Sequence, residues 1–403
     1  MTAVLKVYND TVLASDEGEV TVLILLDYTA AFDTVDHSIL LSILEKSFGV
    51  TGTALDWIQS FLVGRSQIFQ IGPDKSSTVI VFFGLPQGTI LGPLFYIVYT
   101  ADIETIIEKH GVKMHLYADD TQLYDHSRVN NIERSVAALE ACLQDIVQWS
   151  SQRRFKLNPS KTELIWLDQA HSIGKLQQKP LIRLNSQELS SSPSVRDLGV
   201  IIDSGLTLTT HVSILARTCF YQLRRIRQAK KNLDEDSVKT LVHALVLSRL
   251  DYCNSVLANL PEVTLAPLIC VQHSAARLIR NLRRQDSVSL VMMELHWLPL
   301  HHRITFKLCT LMHGIHYGHC PKYMKEMVLP LSTLPGRERF RSAATQNYDI
   351  RRVKLKFGER AFAVAAPKAW NSLPDFLKQT NDIVEFKKDL KTRANNLFNL
   401  AYN

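Results

Sequence analysis

Seven residues, Val20-Thr21-Val22-Leu23-Ile24-Leu25-Leu26, run on without the polar alternation of a half-exposed strand and end on Asp27. A run of that length, rich in β-branched side chains, predicts a strand covered on both faces. It commits the chain to a layered domain with a sheet inside, and it sets a carboxylate where a buried strand ends.

Helix and strand signals alternate up to about residue 210 and then become almost wholly helical. Residues 38–48 and 54–62 carry helical patterns. Residues 66–71 and 78–83 predict strands flanking a Gly72-Pro73-Asp74 turn. The apolar stretch 90–107 predicts one buried helix, despite Gly92-Pro93 near its start. Residues 113–117 and 121–125 predict a tight hairpin that lifts Ala118-Asp119-Asp120 clear of the sheet, and residues 131–149 an amphipathic helix. The fold class is α+β: an antiparallel sheet with packed helices, then a mostly α-helical remainder.

With 403 residues, 46% of them hydrophobic, the chain can bury more than one core, so two domains are the default expectation. No window approaches the roughly 18–20 apolar residues of a membrane span. The first 16 residues lack the basic start, apolar run and small-residue cleavage site of a secretion signal. An intracellular protein of nucleus or cytoplasm, with no membrane partner, is expected. Six cysteines without C-x-x-C spacing fit reduced structural thiols.

The net charge of +7 hides a division. Residues 1–210 carry 16 Lys and Arg against 24 Asp and Glu, whereas residues 211–403 carry 30 against 15. An acidic half can gather metal-binding carboxylates, and a basic half can meet polyphosphate chains.

Asp27 and the Tyr117-Ala118-Asp119-Asp120 hairpin give two carboxylate stations about ninety residues apart, with the glycine-rich Gly84-Leu85-Pro86-Gln87-Gly88 loop between them. Nucleotidyl transfer needs two hard cations, oxygen ligands and in-line geometry, so carboxylates on rigid elements must converge on one point. A lone Asp is more often a cap or turn residue. Asp33 and Asp36 are read in that way, as turn and helix N-terminal residues.

Leu26-Asp27-Tyr28-Thr29-Ala30-Ala31-Phe32-Asp33, Gly84-Leu85-Pro86-Gln87-Gly88-Thr89 and Tyr117-Ala118-Asp119-Asp120 resemble, in order and spacing, three successive motifs of reverse transcriptases from non-LTR (LINE-type) retrotransposons. Leu157-Asn158-Pro159-Ser160-Lys161-Thr162 resembles the next motif, and Asp197-Leu198-Gly199-Val200 the segment after it, near the primer. Gly358-Glu359-Arg360-Ala361-Phe362 and Ala366-Pro367-Lys368-Ala369-Trp370 are similar to the tails of the same elements.

The resemblance implies an RNA-directed DNA polymerase that extends a DNA primer 3′-end on an RNA template. It would hold the RNA-DNA hybrid, consume deoxynucleoside triphosphates and use two Mg2+ ions, with Mn2+ able to substitute. It implies a right-hand polymerase palm over residues 1–210, a helical basic thumb over 211–300 and a helical C-terminal region over 301–403. Asp27 and Asp119 would be the metal-binding carboxylates, with Asp120 supporting the second station. Phe32 matches the aromatic that lies under the sugar and excludes a ribose 2′-hydroxyl. Gln87 and Gly88 match the loop that approaches the incoming nucleotide and template. Tyr117, which opens its motif, is counted with them as substrate-binding. Lys161 is the candidate proton donor to the leaving pyrophosphate; its ordinary alternative is a surface lysine.

Arg217, Arg224, Arg225, Arg227, Lys230 and Lys231 recur along a helical stretch whose apolar positions include Leu215, Leu223 and Ile226, and Arg277, Arg280, Arg283 and Arg284 form a second cluster. Together with Leu198 and Gly199 they are the expected nucleic-acid contacts, holding a duplex by its backbone. Cys309, His313, His316, His319 and Cys320 do not have knuckle spacing and are read as structural, with residues 303–312 as a helix ending near Gly314 and Gly318.

Family members carry a sizeable fingers region and an endonuclease domain before the first motif, whereas Asp27 stands 26 residues from the start. The expectation is a palm and thumb with fingers largely missing, and weak or absent polymerisation by this chain alone. The alternative is a catalytically silent remnant that at most binds nucleic acid.

Overall fold

The computed structural model describes residues 2–168, 174, 179–185, 187–334 and 346–402, with side chains described through residue 393. Compactness divides the chain into Glu19–Val195 and a second unit of Met1–Gly18 with Arg196–Asn403. This division differs from the motif-based boundary at residue 210. The first helix, α1 (Thr2–Asp16), groups with the C-terminal half because Asn9 and Asp16 accept backbone N–H groups of Ala363, Lys354 and Leu355.

The unit Glu19–Val195 starts with β1 (Val20–Leu26), the strand expected from its apolar run. A turn leads to α2 (His37–Phe48), whose N-cap is Asp36: its carboxylate accepts from Ser38 and Ile39 N–H at 2.9 and 3.0 Å. Asp36 thus has the local role read from sequence. After α3 (Thr53–Leu62) come four two-residue strands, β2 (Ser66–Gln67), β3 (Gln70–Ile71), β4 (Asp74–Lys75) and β5 (Val79–Ile80). β2 pairs with β5, and β3 with β4 around Gly72-Pro73. The expected longer strands are broken up here. Ile71 is 84% exposed and Phe69 67%, so within this unit little apolar packing supports a continuous ladder.

The stretch expected as one buried helix is two, α4 (Leu91–Thr100) and α5 (Ile103–Glu108). The break is held at Asp102, which accepts from Trp149 Nε1 at 3.0 Å and pairs with Arg153. The helix is also not buried all round, since Leu94 and Ile97 are exposed.

Next come β6 (Lys113–Tyr117), β7 (Asp120–Ser127), α6 (Ile132–Gln152), β8 (Glu163–Leu167), and the short pair β9 (Arg183–Leu184) and β10 (Gln187–Glu188). The main sheet is antiparallel with order β6-β7-β1-β8, so β1 is an interior strand. Helix α6 packs on β7, and Leu139, Leu143 and Ile146 join Val22, Ile24 and Trp166 in one core. Each such aliphatic side chain contributes about 1.5–3 kcal/mol relative to exposure.

The division falls within β11 (Ser194–Asp197), which forms a hairpin with β12 (Val200–Asp203). The other unit is then helical: α7 (Thr209–Ala229), α8 (Glu235–Val242), a π-helical turn at His243–Leu247, α9 (Ser248–Asp251), α10 (Glu262–Arg280), α11 (Ser289–Glu294), α12 (Leu300–His316), α13 (Lys322–Lys325), α14 (Phe362–Asn371), α15 (Asp375–Gln379) and α16 (Ile383–Tyr402). Helix α10 packs on α7, and α12 on α14 and α16.

Helix α12 runs through Gly314 to His316, past the expected end, with His313 buried in the core and His316 half-buried beside it. His313 Nε2 lies 2.9 Å from Thr380 O, and His316 Nδ1 3.1 Å from the Tyr348 hydroxyl. Burial pushes the Cys309 thiol up to about 12, away from the thiolate a metal would need. Among the described residues no helix is long and apolar enough to cross a membrane.

Candidate active site

Strand β1 pairs with β7 from Val20 opposite Ser127 to Leu26 opposite Thr121. One further step on that register brings Asp27, the residue after β1, across from Asp120. The hairpin is tighter than expected: Tyr117 pairs with Asp120, leaving a two-residue turn of Ala118 and Asp119. Asp120 is therefore the first residue of the strand and is not lifted clear of the sheet, whereas Asp119 sits at the tip. Ala118 turns at φ 53, a left-handed conformation that costs an L residue roughly 1–2 kcal/mol. Such strain persists where the surrounding structure over-determines it, here a ladder continuing on both sides.

The electrostatics follow from this crowding. Asp120 has its carboxyl pKa raised above the ordinary value, first by lost solvation and then by the negative charges of Asp119 and Asp27. Asp27 Oδ2 is buried with no hydrogen-bond partner. An unpartnered carboxylate oxygen beside two more carboxylates is stabilised by a bound hard cation, so these residues fit a divalent metal. Among the described residues no three His, Cys, Asp or Glu side chains are grouped to hold a metal ion by themselves. Mg2+ commonly takes one or two carboxylates and completes its shell with water and substrate phosphates.

Two loops are fastened to the segment after β1. The backbone N–H of Asn158 donates to Asp27 O at 2.9 Å, and Thr29 N–H donates to Lys156 O at 2.8 Å. These bonds bring the Lys161 loop alongside Asp27, with Lys161 itself exposed. On the other side, Leu85 N–H donates to Phe32 O at 2.9 Å and Gly84 N–H to Val35 O at 2.8 Å. Gly84 has φ +87, and a Cβ there would meet Asp33 O at 2.9 Å, so the close approach needs glycine. Its carbonyl accepts from Arg65 at 2.6 Å and lies 2.9 Å from His37 Nε2. Gln87 Nε2 donates to Asp33 Oδ1 at 3.1 Å. Asp33 thus ties the two loops together in addition to its turn role. Gly88 has φ +76 and open space around it.

Phe32 stacks on Tyr96 with ring centroids 4.4 Å apart. Tyr96 in turn leans on Phe155 at 5.9 Å. Burial, then Tyr28, Asp119 and Asp120, push the Tyr96 phenol pKa upward, so this ring senses the hairpin carboxylates. Sequence reasoning missed Tyr96 and Arg65, and it placed Asn158 and His37 within motifs without giving either a role of its own. Tyr96 lies in an apolar helix where an aromatic reads as core, and Asn158 acts through its backbone.

In the other unit, Leu198 and Gly199 form the β11-β12 turn, with the Tyr252 hydroxyl donating to Leu198 O at 2.6 Å. Arg217, Arg224, Arg225, Arg227 and Lys231 are exposed. Lys230 is engaged otherwise: its ammonium caps α10 by donating to Leu278 O, Ile279 O and Asn281 Oδ1. Arg280 pairs with Glu235 and Glu294. The two basic clusters meet in one open pocket of about 1000 Å3, lined among others by Arg227, Lys231, Arg277 and Arg284.

Residues 4–202 match the family described as reverse transcriptase (RNA-dependent DNA polymerase). The chain is 26% identical over 220 residues to a probable RNA-directed DNA polymerase from transposon BS of Drosophila melanogaster, covering 53% of this chain and 23% of that protein. It is 27% identical over 262 residues to the RNA-directed DNA polymerase from mobile element jockey of Drosophila funebris, covering 62% and 27%. A putative 115 kDa protein in a type-1 retrotransposable element of Drosophila melanogaster is 30% identical over 192 residues, covering 47% and 17%. The chain thus spans about a quarter or less of the length of these curated relatives. Through residues 4–202 it belongs to the reverse transcriptases of non-LTR, LINE-type retrotransposons.

Proposed function

We propose that this chain carries the palm and thumb of an RNA-directed DNA polymerase, with the palm over residues 1–210, the thumb over 211–300 and a helical C-terminal region over 301–403. The observation that carries the reading is the buried, unpartnered Asp27 Oδ2, one register step from a hairpin that presents Asp119 and Asp120. In this reading Asp27 and Asp119 hold two Mg2+ ions, and Asp120 supports them from the strand. When bound, the ions polarise the phosphoryl oxygens and offset charge on the attacking and leaving oxygens.

The protein's own groups do the positioning. Phe32, backed by Tyr96, lies under the sugar and leaves no room for a 2′-hydroxyl. Gln87, tied to Asp33, and Gly88, which has no side chain, let the loop approach the base pair being formed. Tyr117 borders the primer end beside Asp120. Lys161 gives its proton to the pyrophosphate as it leaves, a step supported by the anchoring of its loop to Asp27. Leu198 and Gly199 border the primer, and Arg217, Arg224, Arg225, Arg227 and Lys231 contact phosphates of the hybrid without reading sequence. RNA template, DNA primer and deoxynucleoside triphosphates set the reaction inside the cell.

Primer extension on an RNA template with Mg2+, run with the purified chain and with Asp119→Ala, tests the proposal. Metal-dependent incorporation lost in the variant is expected. Equal signals from both proteins would leave a catalytically silent chain that at most binds nucleic acid.

A further inference from the structure

The loop that carries Gln87 and Gly88 is fixed at its base and open at its tip. Gly84 and Leu85 are buried, whereas Gln87 and Gly88 are exposed. At the base, both lone pairs of the Gly84 carbonyl are engaged. Arg65 donates to it from a terminal nitrogen at 2.6 Å, and His37 Nε2 lies 2.9 Å away. The contact between His37 Nε2 and Arg65 is longer, 3.3 Å, which assigns the imidazole proton to Nε2, toward the carbonyl.

Arg65 is itself held on two sides. It stands one residue before β2, and its own carbonyl accepts from Val81 N–H at 2.9 Å, which continues the pairing of β2 with β5. Its Nε donates to Leu62 O at 2.8 Å, a carbonyl at the end of α3 that has no helical partner. The guanidinium therefore spans two main-chain carbonyls, one on α3 and one on the loop. Arg153 and Arg154 pair with Asp102 and Asp36, whereas Arg65 takes part in none of the ion pairs seen among the described residues. The residue before the loop is pinned as well: Phe83 bridges to Asp36, and its ring lies 5.4 Å from the guanidinium of Arg154. Arg65, Asp33, Gly84 and Gln87 line one open pocket of about 860 Å3, so the fastening and the tip border the same space.

We propose that Arg65 is a positioning residue for the incoming nucleotide: its fork, spanning Leu62 O and Gly84 O with His37 beside it, fixes the base of the loop and thereby the place of Gln87. What Gln87 meets rests on the polymerase reading; the clamp does not. Lysine keeps the charge but loses the span, because a single ammonium cannot reproduce the planar fork.

Arg65→Lys in the full chain tests this by two readouts. Without metal or nucleic acid, hydrogen exchange over residues 83–88, followed by mass spectrometry, should quicken about tenfold while β1 is unchanged. The reporting groups are the Gly84 and Leu85 N–H, bonded to Val35 O and Phe32 O. In single-nucleotide incorporation on an RNA template, KM for the deoxynucleoside triphosphate should rise about tenfold with kcat held within about twofold, the mark of lost binding. Beside Gln87→Ala, Arg65→Lys should raise KM no further, because the two act through one loop; a merely structural loss would add in both backgrounds. Arg65→Gln should match or exceed the lysine variant, and it remains decisive if that variant does not fold. Unchanged exchange in both variants overturns the clamp, and a KM effect that persists in full beside Gln87→Ala overturns the positioning role. A wild-type chain that incorporates no nucleotide overturns the polymerase reading and the nucleotide role with it, whereas exchange still upholds or rejects the clamp.

Discussion

Phe32 and Tyr96 are stacked with ring centroids 4.4 Å apart and planes inclined by 19°. The pair joins the turn after β1 to α4, and Tyr96 is 2% exposed, so Phe32 rests on a wall that cannot retreat. A rigid wall can reject one extra hydroxyl; a mobile one cannot. Phe32→Val should raise ribonucleotide incorporation relative to deoxynucleotide by about 10–100-fold, the scale of one misfitting group in a pocket. Tyr96→Leu should move the same ratio less, while lowering stability by about 2 kcal/mol. Single-nucleotide incorporation with matched ribo- and deoxynucleotides reads the ratio; an unchanged ratio in Phe32→Val rejects the gate.

Asp120 sets function against stability. Its raised pKa means that the folded state holds this proton more tightly than the unfolded chain does. Stability is therefore lost as pH rises from about 3.8 through the raised value, and the loss is complete above it. Without metal, Asp120→Asn should raise the melting temperature at neutral pH, and the gain should vanish below the ordinary carboxylate value. Thermal melts across pH in chelator check the sign; a variant less stable at neutral pH contradicts it.

Gly84 is where the two loops touch. A methyl group at φ +87, facing Asp33 O at 2.9 Å, must displace main chain. Gly84→Ala should cost about 2–3 kcal/mol in urea unfolding. An unchanged midpoint would show that the loops are not clamped there.

Lys230 and its neighbours should separate by readout. Lys230 caps α10, so Lys230→Gln should lower the melting temperature with little effect on the salt dependence of hybrid binding. Arg224→Gln and Arg227→Gln should each reduce the slope of log affinity against log salt by about 1, with the melting temperature held. A salt-independent affinity would reject the basic face as a phosphate surface.

Local and strongly patterned features were legible in the sequence. β1 follows from seven apolar and β-branched residues, the α2 cap from Asp36, and the hairpin from the strand signals on either side of Ala118. What escaped reading depends on contacts distant in sequence. The helix break at Ala101-Asp102 is fixed by Trp149 and Arg153, about fifty residues away. The start of β7 at Asp120 is decided by pairing with Tyr117. Lys230 reads as one more exposed cation until the end of α10 is brought to it. The family resemblance pointed to the carboxylates, but neither the resemblance nor the patterning indicated Tyr96 behind Phe32.

The central claim is that Asp27 and Asp119 serve one reaction centre. Single-turnover incorporation of one matched deoxynucleotide on an RNA template should fall by about a thousandfold or more in Asp27→Asn and in Asp119→Asn, and the double variant should be no slower than either, because groups acting as a unit are not additive. Two independent losses that multiply in the double variant, or single variants as fast as the wild type, would contradict the account.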